Sequence, residues 1–275
     1  MEKYSVLMAV YYKDKPEYLE LAIESMLSQT LPPDELVLVC DGKLTPELDS
    51  LIDSYSERLK DFFNVVRLSE NCGLGVALDK GLAACRNEII VRMDSDDISE
   101  EHRVEKQMKV FLENGDISVV GGQIAEFSGE ITNILGYRRV PLTHQEILKR
   151  AASRNPMNHV TTLFRKSDVL TAGSYRDLPG FEDYYLWVRM LSQGKVFKNI
   201  DDVCCYVRVN EGTYSRRGGM EYYRHTMRME KYLLEYGILN KFQYIKNLIV
   251  RFLGVVVVPN KVRSFLFKKL MRKHS

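Results

Sequence analysis

What most constrains this chain is a regular alternation through its first hundred residues: short β-branched runs separated by stretches whose apolar residues recur at helical spacing. Residues 5–11 read as a strand. Tyr18, Leu19, Ala22, Ile23, Met26 and Leu27 then follow a helical period until Pro32-Pro33 stops it. Residues 36–40 form a second apolar run. Thr45-Pro46 is a helix start, a capping residue followed by proline at the first helical position, and Leu48, Leu51, Ile52, Tyr55 and Leu59 supply that helix's apolar face. Residues 64–68 read as a third strand, 75–85 as a helix and 88–93 as a fourth strand. Repeated βαβ units of this kind predict an α/β fold with a mostly parallel central sheet and flanking helices. Further on, 117–121 returns to strand and 141–158 is helical and polar. Residues 160–209 alternate short strands around a helix near 182–193.

Open α/β sheets bind ligands beyond the carboxyl ends of their strands. Asp41 stands at the end of the second strand and Asp94 at the end of the fourth. Asp94, Asp96 and Asp97 put three carboxylates within four residues, an arrangement that repels itself unless a cation or polar ligand is present. Mg²⁺ and Mn²⁺ favour such oxygen ligands, often one or two carboxylates with substrate phosphates. The competing reading is a solvated acidic turn ahead of a helix capped by Ser99 and carrying Val104, Met108 and Phe111. Spacing alone leaves both open.

Charge is distributed unevenly. No Asp or Glu follows Glu235, whereas nine Lys or Arg residues do, among them Lys241, Lys246 and Arg251; the preceding body holds 30 basic against 37 acidic residues. In the tail these bases mix with Phe242, Ile245, Leu248, Ile249, Phe252 and Leu253, then with Val262, Phe265, Leu266 and Leu270. Such a segment suits either a helix lying in an anionic membrane interface or a helical appendage packed on the body. The longest apolar stretch, 248–258, is broken by Arg251 and falls short of the roughly 20 residues of a spanning helix. The first residues lack a signal-peptide pattern, and the five cysteines have neither zinc-site spacing nor disulfide-scaffold density, so reduced thiols are expected. Nothing resembles a base-reading module, which argues against nucleic acid.

Several motifs, in order, resemble the family 2 glycosyltransferases of the GT-A, Rossmann-like fold. Ser5-Val6-Leu7-Met8-Ala9-Val10-Tyr11 resembles the family's first strand, with Ala9 where proline is usual, and Ser25-Met26-Leu27-Ser28-Gln29-Thr30 its S-x-x-x-Q-T helix. Cys40-Asp41-Gly42 resembles the D-G that ends its second strand, with a single acid where two are common. Asn71-Cys72-Gly73 leading to Ala77 and Gly81 matches N-x-G-x-x-x-A-x-x-x-G; Asp94-Ser95-Asp96 matches D-x-D, and Glu182-Asp183 the later E-D.

The resemblance implies a division of labour. The nucleotide-sugar would be held by Ala9, Val10, Tyr11, Asp41, Asn71, Gly73, Asp94, Ser95 and Arg208, with Asp41 on the uracil or ribose and Asp94 reaching the ribose or a metal-bound water. Asp96 would ligate Mn²⁺ or Mg²⁺. Asp183 would be the base for the acceptor hydroxyl and Glu182 would help hold the acceptor, with His159 near the same site. Arg208, with Asn210, Ser215, Arg216 and Arg217, resembles a segment that folds over the diphosphate, for which Arg is suited. Trp187 falls in the helix periodicity and reads as core. In outline, residues 1–235 would be the catalytic domain, 1–97 binding nucleotide-sugar and 98–235 the acceptor, with 236–275 a basic helical appendage.

The function implied is an inverting transfer of a hexose, galactose or glucose, from a UDP-sugar to a sugar on a polyprenyl diphosphate, with a β1,3 linkage suggested by the contexts of His159 and Asp183. Its setting would be O-antigen, capsule or exopolysaccharide assembly, peripheral on the inner face of the cell membrane. Competing readings are a membrane-associated sugar-nucleotide binder without turnover and a nucleotidyltransferase, although residues 10–16 lack the glycines of a phosphate loop.

Overall fold

A computed structural model describes residues 2–209 and 219–257. The expected alternation is present: β1 (Tyr4–Val10), α1 (Pro16–Leu27), β2 (Glu35–Cys40), α2 (Pro46–Leu59), β3 (Phe63–Arg67), α3 (Leu74–Ala84) and β4 (Ile89–Arg92). Strands β1 to β4 are mutually parallel in the spatial order β3-β2-β1-β4. Both faces of this half are covered, which is why β2 is apolar and buried along nearly its whole length. On β1 the alternation of side chains sends Val6, Met8 and Val10 into one core layer with α1, α2 and the later helix α4 (Arg103–Glu113). Leu7 enters a second layer with α3 and α7 (Glu182–Ser192).

The motif glycine Gly81 has a packing cause. A Cβ there would lie 2.5 Å from both Leu7 Cδ1 and Val39 Cγ2, so only glycine lets α3 sit this close to β1 and β2.

The second half of the sheet is mixed. β8 (Leu163–Arg165) runs antiparallel to β4 and to β6 (Ile117–Phe127); β6 pairs in parallel with the 13-residue β9 (Val196–Arg208). β7 (Ile134–Arg138) is an added antiparallel partner of β6, and β5 (Ile98–Ser99) pairs with β9.

Two expectations are corrected. Ser99 does not cap a helix: it is in β5, its amide donates to Ser25 Oγ and its hydroxyl accepts from Gln29, and α4 starts only at Arg103. Ser25 and Gln29 of the first-helix motif thereby have a structural task, clamping the turn after the acidic run. The helix expected over 141–158 shrinks to α5 (His144–Ala151), opened by a capping box between Thr143 and Glu146. Beyond it the chain is irregular up to a single 3₁₀ turn at His159–Thr161, because Asn155 and Asn158 spend their side chains on nearby groups. A short helix, α6 (Lys166–Thr171), precedes α7.

At the end of the described chain α8 (Gly219–Glu235) packs on α7, with Tyr185 and Tyr232 stacked at 4.1 Å. α9 (Lys241–Phe252) returns along α8, where Asn247 and Arg251 bond the buried Glu230 and the carbonyls of Ala152 and Ser153. One side of α9 thus packs on the body, as one of the two readings expected. The opposite side exposes Phe242, Ile245, Ile249 and Val250. Lys261 and the basic residues after it, like Asn210, Ser215, Arg216 and Arg217, lie outside the described residues.

Candidate active site

The carboxyl ends of β1, β2 and β4 open on one cleft of ≈ 490 Å³. Nine residues expected from the sequence line it: Ala9, Val10, Tyr11, Asp41, Asn71, Gly73, Asp94, Ser95 and Asp96. Lys13, Asp14, Lys15, Tyr18, Leu74 and Ala77 complete the lining. Of these, Asp14 was missed by the sequence reading, although the rule that singled out Asp41 and Asp94, an acid just past a strand end, applies to it as well.

Asp41 organises the turn into α3. Its Oδ1 accepts from the amide of Cys72 at 2.7 Å and its Oδ2 from that of Gly73 at 3.0 Å, while Asn71 Nδ2 donates to its carbonyl at 3.2 Å. Each carboxylate oxygen retains a lone pair for a ligand in the cleft. Asp14 ties β1 to the acidic run: its Oδ2 accepts from Tyr11 N at 3.1 Å and Ser95 Oγ at 2.9 Å.

Burial, followed by the negative charges of Asp94 and Asp14, pushes the Asp96 carboxyl up to about 6. That energetic conflict is what a bound cation would relieve. No group of three His, Cys, Asp or Glu side chains gathers as a metal cage among the described residues. The donor set is instead one or two carboxylates beside a cleft able to admit a diphosphate, as Mg²⁺ and Mn²⁺ sites in phosphate chemistry use. The residues fit such an ion.

Asp97, without a role in the sequence reading, acquires one. It is 3% exposed and its Oδ1 accepts from the amide of Arg208 at 2.8 Å. Arg208 is further held by a bond from Nε to the carbonyl of Asp96 at 3.1 Å and by the rings of Tyr18 and Phe127, 3.9 and 4.6 Å from its guanidinium carbon. Arg208 is not among the residues lining the cleft, although Tyr18, on which it packs, is.

Glu182 and Asp183 open α7, outside the cleft lining but next to it. A Cβ on Gly75 would sit 2.8 Å from the carbonyl of Arg176 and 3.1 Å from Glu182 Cγ, so the first turn of α3, which lines the cleft through Leu74 and Ala77, abuts the start of α7. Asp183 accepts from Asn155 Nδ2 and from the Tyr184 amide, the latter at 2.7 Å. Burial raises its pKa; those two hydrogen bonds and the charges of Arg138 and Arg92 oppose the rise. Glu182 accepts from the Gly180 amide at 3.0 Å, and burial pushes its carboxyl to about 7.

A carboxyl titrating at about 7 when folded and at 4.5 when unfolded binds a proton in the native state that the unfolded chain has released, so stability falls as pH rises between those values. Glu182→Gln removes this penalty. Thermal denaturation should find the variant more stable than wild type by about 1–3 kcal/mol at pH 8, discounted for partial exposure, with the difference vanishing below pH 4.5.

His159 bonds Tyr175 Oη through Nε2 at 2.9 Å and packs 6.0 Å from the Trp187 ring. Burial and Arg92 hold its pKa well below the usual range, so it is neutral at pH 7. Trp187 is wholly buried against Phe164 and Phe197, core as its periodicity indicated.

A Rossmann-like parallel half-sheet continued by a mixed half, with acids gathered at the strand ends, is the GT-A fold. The profile of glycosyl transferase family 2 matches residues 5–171, and the chain belongs to that family. A UDP-Gal:alpha-D-GlcNAc-diphosphoundecaprenol beta-1,3-galactosyltransferase from Escherichia coli is 34% identical over 98% of this chain and 97% of its own length. The amylovoran biosynthesis glycosyltransferase AmsE from Erwinia amylovora is 34% identical over 97% of this chain and 98% of its own. Among solved structures, Staphylococcus aureus TarS (1-349) with UDP-GlcNAc superposes with TM-score 0.67 and 18% identity, covering 96% of this chain and 75% of that one. A mannosyltransferase from Pyrobaculum calidifontis with GDP-Man and Mn²⁺ gives 0.64 and 18%, covering 95% and 71%.

Proposed function

We propose that this enzyme transfers a hexose, galactose or glucose, from a UDP-sugar to the sugar of a polyprenyl-diphosphate-linked acceptor with inversion, forming a β1,3 bond in surface polysaccharide assembly. The observation that carries the reading is end-to-end similarity to the E. coli galactosyltransferase at 34% identity. Residues 1–97 bind the donor, 98–235 the acceptor, and the remainder is an appendage to that domain.

In this reading Asp41 and the backbone of Ala9 to Tyr11 hold the nucleotide, Asn71, Gly73 and Ser95 shape its pocket, and Asp94 reaches the ribose. Asp96 holds Mn²⁺ or Mg²⁺, which when bound supplies positive charge to the departing diphosphate. Arg208, fixed by Asp97, adds a second cationic contact. Asp183 Oδ takes the proton from the acceptor hydroxyl as its oxygen bonds the anomeric carbon, and the bond from that carbon to the diphosphate breaks to release UDP. Glu182 and His159 orient the acceptor. One base on the side opposite the leaving group gives single displacement.

Release of UDP measured across UDP-galactose, UDP-glucose, UDP-N-acetylglucosamine and GDP-mannose, each with a synthetic N-acetylhexosamine diphosphate lipid, tests the assignment. A UDP-hexose with acceptor-dependent turnover is expected. Donor binding with no acceptor-dependent release would favour the binder reading instead.

The acceptor's lipid gives α9 a purpose. No helix among the described residues is long and apolar enough to cross a membrane. Phe242 (77% exposed), Ile245, Ile249 and Leu253 instead form an outward apolar stripe at helical spacing, flanked by Lys241 and Lys246, a composition suited to lying in an anionic interface. Ile245→Asp with Ile249→Asp should abolish co-sedimentation with phosphatidylglycerol vesicles while leaving turnover of a short-chain soluble acceptor intact. Unchanged vesicle binding would contradict this role.

A further inference from the structure

Arg92, the last residue of β4, was absent from the sequence reading. Its side chain is 1% exposed, on the same sheet face as Ile90 and opposite Leu7, in the core layer shared with α7. Its amide donates to the carbonyl of Thr162 at 2.8 Å, which places it directly after the turn carrying His159. Nη2 bonds Asp94 Oδ1, the only carboxylate contact it makes among the described residues. Nε and Nη1 are buried and meet no acceptor among the described residues.

A buried guanidinium with two unsatisfied donors is costly and is retained where its charge has a task. Here the charge is only partly neutralised by Asp94, whose side chain is 34% exposed at the cleft. Its field falls on the buried groups of the same layer: it helps keep His159 neutral and opposes the upward shift of Asp183.

We propose that Arg92 is a positioning residue that couples the donor side of the cleft to Asp183: it is paired with Asp94 before the donor binds, and turns its charge toward Asp183 when Asp94 engages the UDP-sugar. The carboxylate is thus favoured more strongly in the donor-loaded enzyme, so that donor binds before acceptor is activated. The inference rests on the assignment of Asp183 as base. The other groups facing Asp183 are Asn155 and Arg138, which also favour its ionised form, its own-helix neighbours Glu182 and Tyr184, and Tyr175 across from it.

Arg92→Met, Arg92→Lys and wild type are compared by the pH dependence of kcat/KM for acceptor at saturating donor, with UDP affinity by calorimetry to verify a folded cleft. Removing a positive charge raises the pKa of a nearby carboxyl, so the acid limb of Arg92→Met should move up by about one pH unit, roughly a tenfold extra loss at pH 6 relative to pH 8. Arg92→Lys should restore the wild-type limb. A limb in Arg92→Met that coincides with wild type, or a lysine variant displaced as far as the methionine one, would overturn the coupling. Should Arg92→Met not fold, the lysine variant decides: a limb at wild-type pH supports the charge role and a displaced limb refutes it. Failure of the base assignment itself is separately visible, since Asp183→Asn would then retain turnover.

Discussion

Asp183→Asn is expected to lower kcat about a thousandfold while UDP-sugar binding stays as in wild type, because the variant keeps the shape of the carboxyl and loses its ability to take a proton. The asparagine still accepts from the Tyr184 amide and gives up the bond from Asn155 Nδ2, while Asn155 keeps its own oxygen on the Met157 amide. Asp183 combines two features that a base requires. Burial at the start of α7 makes its proton affinity higher than that of a solvent carboxylate, while the hydrogen bonds from Asn155 and the Tyr184 amide and the charges of Arg138 and Arg92 oppose the rise. Steady-state kinetics with donor titration on both proteins gives the test. A proportional rise in KM without loss of kcat would mean that the residue binds acceptor and does not move the proton.

Asp96→Asn carries the second large effect. Asp96 sits in the field of two other carboxylates, Asp94 and Asp14, with burial adding to the penalty. The arrangement is unfavourable by itself and becomes favourable with a divalent cation and a diphosphate. Removing the charge should reduce kcat/KM by about three orders of magnitude, from several kcal/mol of lost leaving-group stabilisation. On the proposed assignment Mn²⁺ should tighten UDP binding in wild type and leave it unchanged in Asp96→Asn. Calorimetric titration of UDP with and without Mn²⁺ reads this directly. If wild-type UDP affinity and turnover both survive excess chelator, the metal assignment fails. Retained cation dependence in Asp96→Asn would instead pass the ligand role to a different residue.

The amino-terminal half of the molecule was legible from residues alone because its signals are local. Thr45-Pro46 starts α2 through a side chain that bonds its own helix, and Asp41 and Asp94 are placed by the simple fact that they follow buried strands. The second half was not, since its strands are paired across long separations. β8 inserts between β4 and β6, and β9 runs 13 residues along β6, neither of which a period of two or 3.6 announces. The same cause moved Ser99 from a helix cap to a strand: its partner is Cys205, more than a hundred residues away. Asp97 and Arg92 escaped attention for a different reason. Both are charged groups whose significance lies in being buried, and burial is decided by the tertiary fold. In the sequence nothing separates Asp97 from its acidic neighbours, and its bond from the Arg208 amide joins residues more than a hundred positions apart.

The central claim is that the acidic cleft and Asp183 serve one inverting displacement. Its most direct test is the stereochemistry of the disaccharide lipid made from an α-linked UDP-hexose, read by NMR from the coupling of the new anomeric proton. A β-linked product, absent in Asp183→Asn, is the predicted result; an α-linked product would contradict the account.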